Sequence, residues 1–152
     1  MSKKETIKIT QDGLNFITVL NFSSIGEING FYGKEVYFTD GFTSEISCLF
    51  QALGNVGAFA RNKNLDNDIN CIIISNEIIT NSNSDLFSLF KSDFENKLNQ
   101  NNSPYRRIKL FSENHLIWYM ENRAKLSNDQ NLISLIKRYK SSMTPLKQPT
   151  LF

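Results

Sequence analysis

The sequence predicts an α/β domain, a four-stranded and mainly parallel sheet flanked by helices. Three observations lead there. Segments of β-branched and aromatic residues alternate with segments of helical apolar spacing, in the order strand, helix, strand, strand, helix, strand, helix. The strand segment "INCIIIS" is apolar almost without interruption, as a strand covered on both faces must be. The chain has 152 residues and 40% hydrophobic content, enough for one sizeable core and too little for two ordinary domains.

From Glu35 the run "EVYFT" reads as the first strand and ends in the turn signal Asp40-Gly41. Thr43 or Ser44 can cap the helix that follows. There Ile46, Leu49, Phe50 and Leu53 fall on one face, and Gly54 is the expected stop. "NVGAFAR" reads as a short strand, followed by the polar loop "NKNLDND" and then "INCIIIS", the expected central strand. After the polar linker "ITNSNS", Ser84 is expected to cap a helix from Asp85 to Leu98 with Phe87, Phe90, Phe94 and Leu98 on one face. The turn "NQNNSP" leads into "YRRIKLF", where Arg107, Lys109 and Phe111 alternate with Ile108 and Leu110, a strand with one wetter face. Ser112 can then start a helix through "ENHLIWYMEN".

This order assigns residues 31–123 to the domain and leaves flanking pieces. In residues 1–30, "TIKIT" and "LNFITVLNF" flank "QDG" as an expected hairpin at the domain edge. Residues 124–140 read as an amphipathic helix: "SNDQ" from Ser127 to Gln130 has the form of a capping box, and Leu132, Leu135, Ile136 and Tyr139 form a stripe. Lys137, Arg138 and Lys140 sit at its end, where the dipole favours cations. Two uses of this helix are open, docking on the core or contact with a partner or DNA. Residues 141–152 are polar, carry two prolines and no apolar period, and read as a flexible tail.

Composition narrows the function classes. Seventeen Lys+Arg against fifteen Asp+Glu give a net charge of +2, which argues for neither a nucleic-acid coat nor a membrane-surface protein. "MSKKETIKIT" lacks the apolar core of a signal peptide, and no run approaches the roughly 18 apolar residues of a membrane span, so a cytoplasmic protein is expected. Cys48 and Cys71 lie in apolar stretches without metal-ligand spacing and read as reduced core residues. His115 has no nucleophile or carboxylate cluster placed around it by any motif, and Asp66 and Asp68 lack the glycine and distal glutamate of a calcium loop. There is no phosphate-binding glycine loop and no zinc-protease motif. No catalytic residue, metal or cofactor is expected, and the enzyme class ranks below a binding module.

The segment from Gly33 to Asn122 resembles a BRCT domain. "GKEVYFT" is similar to that family's opening Gly-Lys and first strand, "LFQALGNVGAFARN" to its first helix and second strand, "DINCIIIS" to its buried strand, and "RRIKLFSENHLIWYM" to its last strand and closing helix. The resemblance implies a noncatalytic interaction module of DNA replication or repair. Many members hold phosphate with a Ser or Thr ending the first strand, the Gly after it, and a Lys opening the second helix. Thr39, Gly41 and Lys34 are the candidates for such a contact or for DNA, although Asp40 intervenes between the first two and Asp85 stands where the helix-opening lysine would be. At the closing-helix tryptophan position His115 stands nearest, with Trp118 one turn later.

The last five residues, "QPTLF", resemble the Gln-x-x-Leu-Phe peptide by which bacterial replication and repair proteins hold the DNA sliding clamp. Gln148, Leu151 and Phe152 match that peptide, and Pro149 and Thr150 occupy its variable positions. Leucine and phenylalanine can fill an apolar cleft, the glutamine amide can bond at its rim, and proline lowers the ordering entropy. The resemblances together imply an adaptor tethered to the clamp that presents its module to DNA ends or another repair protein. A self-associating subunit, with its carboxyl-terminal residues packed on its own domain or on a neighbour, is the other class.

Overall fold

The computed structural model describes residues 31–62, 68–80, 83–100 and 108–143. The expected amino-terminal hairpin, Asp66, Arg107 and the QPTLF peptide lie outside them. Four parallel strands form one sheet, with Phe59–Arg61, Glu35–Phe38, Cys71–Ile74 and Lys109–Ser112 side by side in that order. They are β1 (Glu35–Phe38), β2 (Phe59–Arg61), β3 (Cys71–Ile74) and β4 (Lys109–Ser112). The helices are α1 (Ile46–Asn55), α2 (Asn76–Thr80), α3 (Asp85–Leu98), α4 (Glu113–Ser127) and α5 (Gln130–Ser142).

The side-chain period of two along β3 divides the interior into two cores. Cys71 and Ile73 point into one, built with α1, α4 and α5; Ile72 and Ile74 point into the other, built with α2 and α3. The register supports the division, since Ile73 stands opposite Phe38 and Phe111, while Ile72 pairs with Tyr37 and Leu110. In the first core, Phe31 meets Phe111 and Tyr119 edge-on. In the second, Phe87, Phe90, Phe94 and Leu98 form the buried stripe expected of α3.

Local signals set most helix starts. Ser84 Oγ accepts from Phe87 N at 3.1 Å, and Ser112 Oγ accepts from His115 N at 2.9 Å, both as the sequence predicts. At α1 the cap position is Glu45, whose side chain makes no capping bond; Thr43 Oγ1 instead accepts from Glu45 N at 3.2 Å, one step outside the helix. Gly54 does not stop α1, which continues to Asn55 and turns at Gly57 with φ +82°. A side chain at Gly57 would collide with the ring of Tyr32. The second strand therefore begins at Phe59 and not at Asn55, because Val56 completes the helix end and packs in the first core.

Two further departures concern short pieces. The helix α2 was hidden in "SNEIIT": five residues are too few to display a helical period, yet Ile78 and Ile79 are buried on the second core. The capping box expected at Ser127 is displaced. α4 runs through Ser127, Asn128 takes the left-handed conformation at φ +52°, and Asp129 Oδ1 caps α5 by accepting from Leu132 N at 3.0 Å. The boundary drawn between residues 123 and 124 thus falls inside α4, whose Ala124 is buried in the first core.

α5 is docked on the domain. Leu132, Ile136 and Tyr139 enter the first core, and the helix packs against both α1 and α4. Arg138 pairs with Glu45 at 3.1 Å and Lys140 with Glu121 at 2.8 Å, so two of the three cations read from the sequence are neutralised within the domain. Ile73→Ala, at a position with 0% exposure, is expected to lower the unfolding free energy by about 2–5 kcal/mol in urea denaturation. Leu126→Ala, at a side chain 79% exposed on α4, should change it by less than about 0.5 kcal/mol.

Candidate functional site at the carboxyl edge of the sheet

In a parallel sheet the strand carboxyl ends open on one edge, where ligands of α/β proteins usually bind. Here that edge collects Thr39 to Gly41 after β1, Ser75 and Asn76 after β3, and Ser112 and Glu113 at the β4–α4 junction. Their polar groups bond chiefly to one another. Thr39 N donates to Ile73 O at 3.1 Å, and Ser75 N donates to Thr39 Oγ1 at 3.0 Å. Thr39 Oγ1 donates in turn to Asp40 O at 3.2 Å, and Ser75 Oγ donates to the same carbonyl at 2.7 Å. Gly41, at φ +108°, lies so close to Ser75 Oγ that a side chain there would collide with it.

Thr39 and Gly41 are therefore brought together, with Thr39 buried and its hydroxyl engaged in the strand-to-strand link. Lys34 is not brought to them. It precedes β1, where its backbone bonds Phe31 and Phe59, roughly 16 Å along the strand from Thr39 at the usual rise per residue. The cleft beside Thr39, about 90 Å³, is lined by Tyr37, Asp40 and Asp93. Burial first, then the two carboxylates, hold the Tyr37 hydroxyl above its ordinary pKa. A negative lining of this kind repels phosphate.

The deepest charged group at the edge is Glu113, 3% exposed at the first position of α4. Asn76 N donates to its Oε1 at 2.9 Å, and Tyr139 Oη donates to its Oε2 at 2.6 Å. Beside it, Asn76 Nδ2 donates to Asn114 Oδ1 at 3.0 Å. Burial raises the Glu113 pKa, and the two hydrogen bonds oppose that rise. Tyr139 is raised as well, by burial and by its bond to the carboxylate. The far end of α5 is fastened by a second chain of bonds: Thr43 and Ser142 hydroxyls lie 2.7 Å apart, and Ser142 Oγ donates to Tyr139 O at 2.6 Å.

Sequence reasoning missed this pair. In the sequence Glu113 is only part of the run that opens a helix after Ser112, and Tyr139 one position of an apolar stripe. A glutamate in a first helical turn is normally solvated, and nothing local reveals that a tyrosine 26 positions later covers it. His115 is buried, with its ring edge-on to Phe111 at 5.2 Å and to Trp118 at 6.0 Å, as a packing residue would be. Cys48 and Cys71 are buried free thiols, and burial pushes Cys71 up to about 12, far from thiolate reactivity. Among the described residues no group of three or more His, Cys, Asp or Glu could hold a metal ion. Nor is any helix among them long and apolar enough to cross a membrane.

Chemically, the edge is a set of mutually bonded groups that join β1, β3, α4 and α5. Comparison with protein-family models, with curated proteins and with solved structures found no match.

The acid–tyrosine pair has a pH signature. Because the folded-state pKa of Glu113 is raised, its contribution to stability is complete below the ordinary value of 4.5 and is lost as pH rises through the folded value. Relative to Glu113→Gln, the wild-type chain should lose unfolding free energy as urea titrations move upward from pH 4.5. Tyr139→Phe removes the donor facing the carboxylate and should cost about 1.5–3 kcal/mol near neutral pH, and less at pH 4, by the same titrations.

Proposed function

We propose that this chain is a noncatalytic adaptor of DNA replication or repair, tethered to a sliding clamp by Gln148, Leu151 and Phe152. The observation that carries the reading is the "QPTLF" sequence, with glutamine, leucine and phenylalanine at the spacing of the clamp-binding peptide. A second line of support is the four-stranded parallel sheet flanked by helices, the architecture that the BRCT resemblance implies. The module then serves as a platform for another repair protein. The pairing of Arg61, Lys91, Arg138 and Lys140 with glutamates lowers the free positive field at those four positions, which favours a protein over DNA ends there. A short peptide binds modestly by itself, and a second contact through the module raises the effective concentration at the clamp.

The test is a titration of the full chain, and of a chain ending at Lys147, against a purified bacterial sliding clamp. The full chain is expected to bind at about micromolar strength, and the truncated one at least tenfold more weakly. Leu151→Ala with Phe152→Ala should reproduce the truncation. A full chain that fails to bind removes the support for the clamp reading.

A further inference from the structure

A groove of about 440 Å³ runs between α4 and α5, on a different part of the domain from the carboxyl edge. Its floor is apolar: Ile133 of α5 is partly exposed there, above Ala124 of α4 and Ile136 of α5, which belong to the first core. Lysines stand on its rims: Lys125 on α4, and Lys137 and Lys140 on α5. Glu121 pairs with Lys140 at 2.8 Å, so three lysines against one glutamate leave two positive charges over an apolar floor.

We propose that this groove is a docking site for an acidic amphipathic segment of a partner protein. Apolar side chains of the segment would lie on Ile133 and the alkyl stems of the rim lysines, and its carboxylates would face Lys125 and Lys137. The volume lies within the range of sites that enclose a ligand, roughly 300–1,000 Å³, and has room for a few apolar side chains. Charge selects the occupant. A second copy offering the same face would set lysines against lysines. Residues 144–152 bring a further cation, Lys147, and no acidic side chain. A nucleic-acid strand would find no aromatic side chain lining the groove on which its bases could stack. Docking here leaves the QPTLF peptide available to a clamp and does not depend on clamp binding.

The experiment is a selection from a displayed library of random peptides against the full chain, followed by anisotropy titrations of the enriched peptides. Enriched sequences should combine Leu, Ile or Phe with Asp or Glu. Their binding should weaken as salt is raised, and should weaken at least tenfold in the Lys125→Glu, Lys137→Glu double variant. Both lysines are exposed, so the double variant should keep the thermal unfolding midpoint of the parent. Enriched peptides without acidic residues, or peptides indifferent to the double variant, would overturn the proposal. Binding seen only after removal of residues 144–152 would make that segment the occupant. A dimer in sedimentation that the double variant disperses would make it a second copy.

Discussion

The strand Cys71–Ile74 has no side that faces water, and the rest of the domain follows from that. Burying an isoleucine is worth about 1.5–3 kcal/mol, and a strand of such residues is stable only when both faces of the sheet are covered. The parallel connections deliver helices to those faces. α2 and α3 close one side through Ile78, Phe90 and Phe94, while α1, α4 and α5 close the other through Leu49, Met120 and Ile136. Burial of β3 also brings the end of β1 against Ser75, so the polar edge of the sheet is ordered by the same packing.

A buried carboxylate is the main electrostatic exception to this apolar scheme. Taking a glutamate out of water is unfavourable unless hydrogen bonds replace the lost solvent, and here Asn76 N and Tyr139 Oη supply them. The donors come from two different elements, one from the first residue of α2 and one from α5. Glu113 is satisfied only when both are in place, and this joins the last described helix to the sheet edge. Helix α5 is thereby part of the domain, in agreement with the burial of Leu132 and Ile136.

Much of this was legible in the sequence because strong local patterns agreed with the tertiary environment. The unbroken apolar run at Ile72–Ile74 marked a doubly covered strand, and the phenylalanine spacing in α3 marked its buried face. Ser84 and Ser112 announced their helices because a hydroxyl before an acidic first turn has few competing uses. Where the reading slipped, a local signal had a stronger nonlocal competitor. Gly54 looked like a stop, but the chain reverses at Gly57, where a left-handed turn passes under Tyr32. Ser127 looked like a cap, but burial of Ala124 and the left-handed Asn128 extend α4 by a turn. At the candidate site, the closeness of Thr39 and Gly41 and the separation of Lys34, at the other end of the same strand, follow from the strand reading itself; the Glu113–Tyr139 bond could not be read, since it depends on how distant segments meet.

The position of α5 along the chain has a bearing on biosynthesis. In chain order the helix that seals the core around Val36 and Phe38 comes after every other described element. Until Tyr139 emerges, Glu113 lacks one of its two bonds and the surface of α1 and α4 that receives Leu132 and Ile136 is open to water. Until α5 is made, the domain therefore carries an unfinished hydrophobic face, the kind of surface that makes folding intermediates prone to aggregate. Completion of the domain waits on its last described helix.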